Sequence, residues 1–319
     1  MQPVLPDNQR GMALVMVLWI VTLLTVIAAS FTLSVRRETV LVRNQVDLIQ
    51  ARSLAEGGIN RALLELLNPD TELQWKPDGQ LHTVMSTEAT LYITVTDEIA
   101  RIDLNTASDQ LLDGLLKSVG VEDSDRPALL DAILDWRDPS EAHRLNGPSE
   151  QDYRLAGYDY GPRNGPFQSI GELQRVLGME PSVFRKMLPS LTLFSGRPGI
   201  NPAYASRSVL LALPGVNPAD IDNYIEQRRL NREQDLPPPL LPGASDQLIN
   251  QGNANTFRIT SFARLPSGVG AGLEAVLTQQ RSPNSTVPFT VLDWQEWDRQ
   301  PEGLVSGEPE LVSATGELN

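Results

Sequence analysis

From Gly11 to Val35 the chain carries no charged side chain, and nearly every position is apolar. A helix needs about 20 such residues to cross a bilayer. The pattern continues past the last uncharged position. Arg36, Arg37, Val40, Leu41, Gln45, Leu48, Ile49, Leu54, Ile59, Ala62 and Leu63 follow at helical spacing, with no proline before Pro69. The spacing predicts one helix from about Met12 to Leu67, roughly 84 Å long at 1.5 Å per residue. Half of it would lie in lipid and half outside. On the outer half, Val40, Leu41, Leu48, Ile49, Ile59 and Leu63 supply an apolar stripe for pairing with a partner helix.

After Pro69 the period changes. Thr90 to Thr96 alternates threonine with larger residues, a strand pattern of period two. Thr256 to Leu265 and Leu273 to Arg281 flank Ser267-Gly268-Val269-Gly270-Ala271-Gly272, which predicts a hairpin. Pro288 to Trp297 reads as a further strand. Between these strands lies a helical stretch with two related units. Asn105-Thr106-Ala107-Ser108 leads into Leu111, Leu112, Leu115, Leu116 and Gly120-Val121. Asn201 to Ser206 leads into Val209, Leu210, Leu213 and Gly215-Val216. Each unit carries an N-cap candidate, an apolar stripe, a glycine turn and a second helix, at about Arg126 to Trp136 and Pro218 to Arg229. Ser169-Ile170-Gly171-Glu172 has the form of a capping box.

The predicted fold class is α+β: a long N-terminal helix on a small antiparallel sheet, with a helical domain inserted into the sheet. The expected organisation is a leader at 1–11, a membrane-spanning half-helix at 12–35 and an outer half-helix at 36–68. The first part of the sheet follows at 69–102, then the inserted helical domain at 103–235 and a proline-rich linker at 236–255. The C-terminal strands fill 256–297, and 298–319 is an acidic tail expected to be disordered.

Charge narrows the function classes. The formal net charge is −14 and the sequence pI about 4.6, which disfavours nucleic-acid backbones and anionic lipid surfaces. There is no cysteine, so no disulfide framework and no thiol site. His82 and His143 stand in no zinc spacing, and no Gly-x-Ser-x-Gly elbow or phosphate-loop motif is present. No catalysis is predicted. Asp135, Asp138, Glu141, Glu150, Asp152 and Asp159 crowd one stretch. Calcium suits carboxylates in irregular loops, and Asp138, Glu150 and Asp152 are its candidate ligands; solvated loop acids are the default.

Arg10-Gly11 stands before the apolar run, so a cut between Gly11 and Met12 would leave the helix in place. The rival is an ordinary signal peptide cut near Ala28-Ala29-Ser30. A leader ending in Arg-Gly before an uncharged helix resembles the type IV pilin and type II secretion pseudopilin class. Most members of that class carry glutamate at the fifth mature position, where this chain has Met16. An apolar residue there is similar to the minor pseudopilin K family. So are Asp135-Trp136-Arg137-Asp138-Pro139, Asn146-Gly147-Pro148-Ser149 with Tyr153, Arg163-Asn164-Gly165-Pro166-Phe167 with Glu172-Leu173, and Ser195-Gly196-Arg197-Pro198-Gly199-Ile200-Asn201.

The resemblance implies a pilin-like fold. It also implies cleavage after Gly11 by the leader (prepilin) peptidase with methylation of Met12, and a single-pass anchor in the bacterial inner membrane. The large domain would be periplasmic, with the smaller minor pseudopilins I and J as partners. Met16 suits the tip of the pseudopilus. A lone carboxylate in an apolar surrounding costs several kcal/mol, and a tip subunit has no neighbour above to pair with it. The flanking charges, Arg10 against Arg36, Arg37 and Arg43, point the other way under the positive-inside rule, but long domains translocate regardless.

The two glycine-turn units also resemble helix-hairpin-helix modules, which gives an alternative: a membrane-tethered DNA-binding protein. The residues argue against it. Pro218 follows Gly215 closely and lacks an amide donor. Glu122, Asp123 and Asp125 follow Gly120 and would repel phosphate. Arg228, Arg229 and Arg232 are diluted by Glu226, Glu233 and Asp235.

Overall fold

The computed structural model describes residues 9–70, 72–140, 142–234, 236–252, 254–279 and 288–297. The tail 298–319 and the first eight residues of the expected leader lie outside them. The apolar run and its continuation form one unbroken helix, α1 (Gln9–Leu66), about 87 Å long at 1.5 Å per residue. Asn68, Pro69 and Asp70 follow its end, and the Asn68 side chain accepts from the Asp70 amide in a turn.

Five strands build an antiparallel sheet against the C-terminal third of α1. They are β1 (Asp78–Met85), β2 (Thr90–Asp97), then β5 (Thr256–Arg264), β6 (Gly270–Gln279) and β7 (Phe289–Trp297), in the spatial order β1-β2-β5-β6-β7. The period-two pattern at Thr90–Thr96 is β2, and the predicted hairpin is β5–β6. Part of the glycine-rich stretch belongs to β6 rather than to the turn: Gly270 pairs with Arg264, Ala271 with Ala263 and Gly272 with Phe262. The turn itself is closed by the Leu265 amide on the Val269 carbonyl, with Gly268 at φ +86°. A side chain in that conformation would be strained.

Small residues let α1 lie close to the sheet. Ala51, Ala55, Gly58 and Ala62 face it, with Ile59 and Leu66 filling between Ile93, Val95, Ile259, Leu273 and Leu277. A Cβ on Gly58 would fall 2.1 Å from the Ser261 Oγ and 3.3 Å from Ile93, so any larger residue would force its neighbours to shift.

β2 and β5 are neighbours over their whole length, with Asp97 opposite Phe257, although residues 98–255 lie between them in sequence. That excursion is a second body with its own core. A two-stranded parallel ladder, β3 (Ile102–Asp103) with β4 (Leu191–Thr192), ties its two ends together. Around the ladder pack α2 (Asp109–Ser118), α3 (Arg126–Arg137), α4 (Glu150–Leu155), α5 (Pro181–Met187), α6 (Arg207–Leu210) and α7 (Pro218–Glu233). Leu111, Leu112, Leu115 and Leu116 of α2 bury their side chains against Leu129, Ile133 and Trp136 of α3 and Met187 of α5.

Two local expectations are corrected. Ser169 does not cap a helix: Ile170–Arg175 is 3-10, and the Glu172 carboxylate is drawn to Arg163 and the Gln168 amide. The capping box sits instead at Ser149 and Asp152, which open α4. The proline-rich segment is not a free spacer either. Leu241 and Leu248 are buried in the core of the inserted body, and Ile249 bridges to Ile200.

Candidate functional site

Three places carry predicted or candidate functional residues: the bare part of α1, the junction between the two bodies, and the glycine turns of the inserted body.

Along α1 the first buried side chain is that of Ala51. From Met12 to Val46 every described side chain is exposed, and the helix is apolar and long enough to cross a membrane. Gly11 and Met12 lie at the end of the first turn of α1, and Met16 is 65% exposed. Of the stripe expected to meet a partner, Val40, Leu41, Leu48 and Ile49 are bare. Ile59 is 1% exposed and Leu63 packs beside it beneath the sheet. The reason is helical phase: at about 100° per residue, ten residues after Ile49 bring Ile59 onto another face. The outward face includes Val42, Val46 and Leu64, which the stripe omitted. Their signal was the run of small residues at 51, 55, 58 and 62, which marks the inward side and so the outward one opposite.

At the junction, charged side chains are buried. Asp97 opens a 3-10 turn by accepting from the Ile99 amide, and the same carboxylate accepts from Ala254, where the chain returns to the sheet. Burial pushes its carboxyl up to about 6, against the lowering pull of those two amides. Glu98 is 1% exposed; its Oε1 is 2.7 Å from the Arg258 Nε on β5, and its Oε2 accepts from the Thr192 hydroxyl on β4. Arg258 also pairs with Glu274 on β6. Burial works against the Arg258 charge, but Glu98 and Glu274 outweigh it and hold the guanidinium above its ordinary range. The Glu98 carboxylate therefore bolts the ladder of the inserted body to the centre of the sheet.

The first glycine turn spends its amides on its own helix, and the second is covered by the chain. The Gly120 amide donates to the Lys117 carbonyl and the Val121 amide to Leu116, so both close the end of α2. At the second turn, Gly215 (φ +83°) lies against Gly243; a Cβ on Gly243 would come within 2.5 Å of the Gly215 carbonyl oxygen. Arg228 is committed to the Pro202 and Ala205 carbonyls, Arg229 to Glu226 and Glu233, and Arg232 to Asp78. Nothing here matches a phosphate-binding hairpin.

The acidic stretch is likewise spent locally. Asp138 accepts from the Ser140 amide and lies 3.5 Å from Arg144, Glu150 pairs with Arg154, and Asp152 serves the capping box. Asp135, buried, holds the Arg144 amide and guanidinium. Among the described residues no three carboxylates or histidines converge on one point, so Asp138, Glu150 and Asp152 are not brought together as calcium ligands. Glu141 lies outside the described residues.

Comparison with known proteins adds a lineage to this geometry. Residues 93–196 match the family model described as type II secretion system (T2SS), protein K. Type II secretion system protein K of Klebsiella pneumoniae is 28% identical over 70% of this chain and 74% of its own length. The protein of the same description from Pseudomonas aeruginosa is 25% identical over 69% of this chain and 73% of its own length. The fold resembles a chain in the crystal structure of the GspK–GspI–GspJ complex from enterotoxigenic Escherichia coli. That match has a TM-score of 0.56 at 17% identity and covers 81% of this chain and 99% of that one.

Proposed function

We infer that this chain, which belongs to the type II secretion system protein K family, is a minor pseudopilin that sits at the tip of the pseudopilus and helps to start its assembly. The observation that carries the reading is α1. It is one unbroken helix whose first part is fit to cross a membrane and whose outer part leaves Val42, Val46 and Ile49 bare, with the sheet on one side only. Exposed apolar surface of this extent marks an interaction site. Other pseudopilin helices supply the matching faces, and the solved GspK–GspI–GspJ complex supports the minor pseudopilins I and J as those partners. The anchor lies in the inner membrane, with the sheet and the inserted body in the periplasm. The prepilin peptidase cuts between Gly11 and Met12, and Met12 becomes the methylated N-terminus. Met16 leaves the tip without a buried lone carboxylate. The inserted body adds bulk beside the sheet, which a tip tolerates and a regular stack does not. The role is structural rather than catalytic.

The test uses the absence of cysteine from the chain. Single cysteines at Val46 and Ile49 are expected to cross-link to cysteines on the helices of the two small minor pseudopilins in membranes. Cysteine at Ala51, which faces the chain's own sheet, is expected not to. Mass spectrometry of the protein from cells is expected to find methylated Met12 at the N-terminus. An N-terminus near Phe31, or no cross-link from either outward position, would overturn the reading.

A further inference from the structure

The first glycine turn of the inserted body opens onto a cleft of about 520 Å³, between the α2–α3 turn, the approach to α4 and the turn before α5. Its floor is apolar, made by Val121, Leu129, Leu177 and Val183. Its rim carries Glu122, Asp125 and Glu180, all exposed. Among the described residues no lysine or arginine pairs with these three carboxylates. Nearby cations are engaged elsewhere: Arg126 holds Asp113 and Asp123, and the Lys186 ammonium donates to the Val119 carbonyl. No lysine or arginine lines the cleft.

The second turn shows what fits such a place. Gly215-Val216 corresponds to Gly120-Val121, and there the chain covers the turn with its own Leu241-Pro242-Gly243: Gly243 lies on Gly215 and Val216, and Leu241 is buried in the core. A turn that joins an aliphatic residue to proline and glycine, with Gly243 at φ +77°, therefore occupies this kind of surface within the same molecule. At the first turn no described residue covers that place, and the rim is negatively charged.

We propose that the cleft at Gly120 docks a turn segment of another protein that carries lysine or arginine beside an aliphatic residue. The aliphatic side chain fills the floor between Val121 and Val183, and the cation pairs with Glu122 and Glu180. A helix-hairpin-helix shape that elsewhere suits anions is here inverted in charge, with its amides already spent on closing α2.

The test uses the full chain in uncharged detergent micelles and two fluorescein-labelled peptides, Lys-Leu-Leu-Pro-Gly-Lys and Glu-Leu-Leu-Pro-Gly-Glu, read by anisotropy. The basic peptide is expected to bind and to weaken by about tenfold as salt rises from low to high ionic strength. The acidic peptide is expected not to bind. Glu122→Lys with Glu180→Lys is expected to abolish binding, and Glu122→Gln with Glu180→Gln to weaken it, both with an unchanged circular-dichroism spectrum. Equal binding of the two peptides, no binding of either at about millimolar concentration, or unchanged binding by the charge-reversed variant would overturn the proposal. So would self-association of the full chain that the charge-reversed variant abolishes, because the occupant would then be a second copy. The N-terminal processing and cross-links of the preceding section are unaffected by any of these outcomes.

Discussion

Among the described residues no cation lies in hydrogen-bonding reach of the Asp97 carboxylate, which is held by two backbone amides in a buried corner. Its acid form is favoured in the folded chain up to about pH 6, whereas an unfolded aspartate loses its proton near 3.8. Ionisation therefore works against folding at neutral pH, by about 3 kcal/mol for a shift of this size. That cost is relieved as pH falls from 7 towards 4. Thermal melts of wild type are expected to gain this increment on mild acidification, and melts of Asp97→Asn to lack it. Glu98 behaves differently because Arg258 answers its charge. Removing it in Glu98→Ala leaves a buried guanidinium with Glu274 alone and is expected to cost about 3–5 kcal/mol in chemical denaturation. Glu98→Gln, which keeps an acceptor for Thr192, is expected to cost less.

Two adjacent glycines set the behaviour of α1 as an element. Gly57 points away from the sheet, and a Cβ there meets nothing within 4 Å; Gly58 points into Ser261 and Ile93. Alanine at 57 is expected to raise stability by about 1 kcal/mol, the helix-propensity gain. Alanine at 58 is expected to lower it by about 1–3 kcal/mol through overpacking. Paired melts of the two variants read both signs. The reach of α1, the strands β2, β5 and β7, and the second helices α3 and α7 were legible because each repeats a single period over many residues. β1 was not: Gln80, Leu81, Thr83 and Met85 are exposed on an edge strand, so no alternation marks it. The phase of α1 was misjudged because bulk was read before smallness. The pairing of Glu98 with Arg258 was invisible for another reason: the two residues stand 160 positions apart, and neither has a local pattern that points to the other. The family motifs, by contrast, were legible as loop signatures around Trp136, Tyr153 and Phe167, whose rings pack together in the inserted core.

At the scale of the whole molecule there are two cores. One holds α1 to the sheet, and the other lies wholly within residues 102–248. The link between them includes polar contacts of Glu98, Arg258 and Asp97, the Asn201 amide donating to the Ile99 carbonyl, and the Arg232–Asp78 ion pair. Because Asp97 and Phe257 stand side by side on paired strands, the whole excursion leaves and rejoins through one doorway. A short turn spliced between those strands, with Arg258 changed to threonine, would leave the sheet its neighbours and the helix its bed. The trimmed chain would have the silhouette of a shaft subunit. Electron microscopy of secretion-system fibres made with it is expected to find it along their length, where the proposed function places the intact chain only at the end. A capstone would thus differ from a brick by one detachable addition.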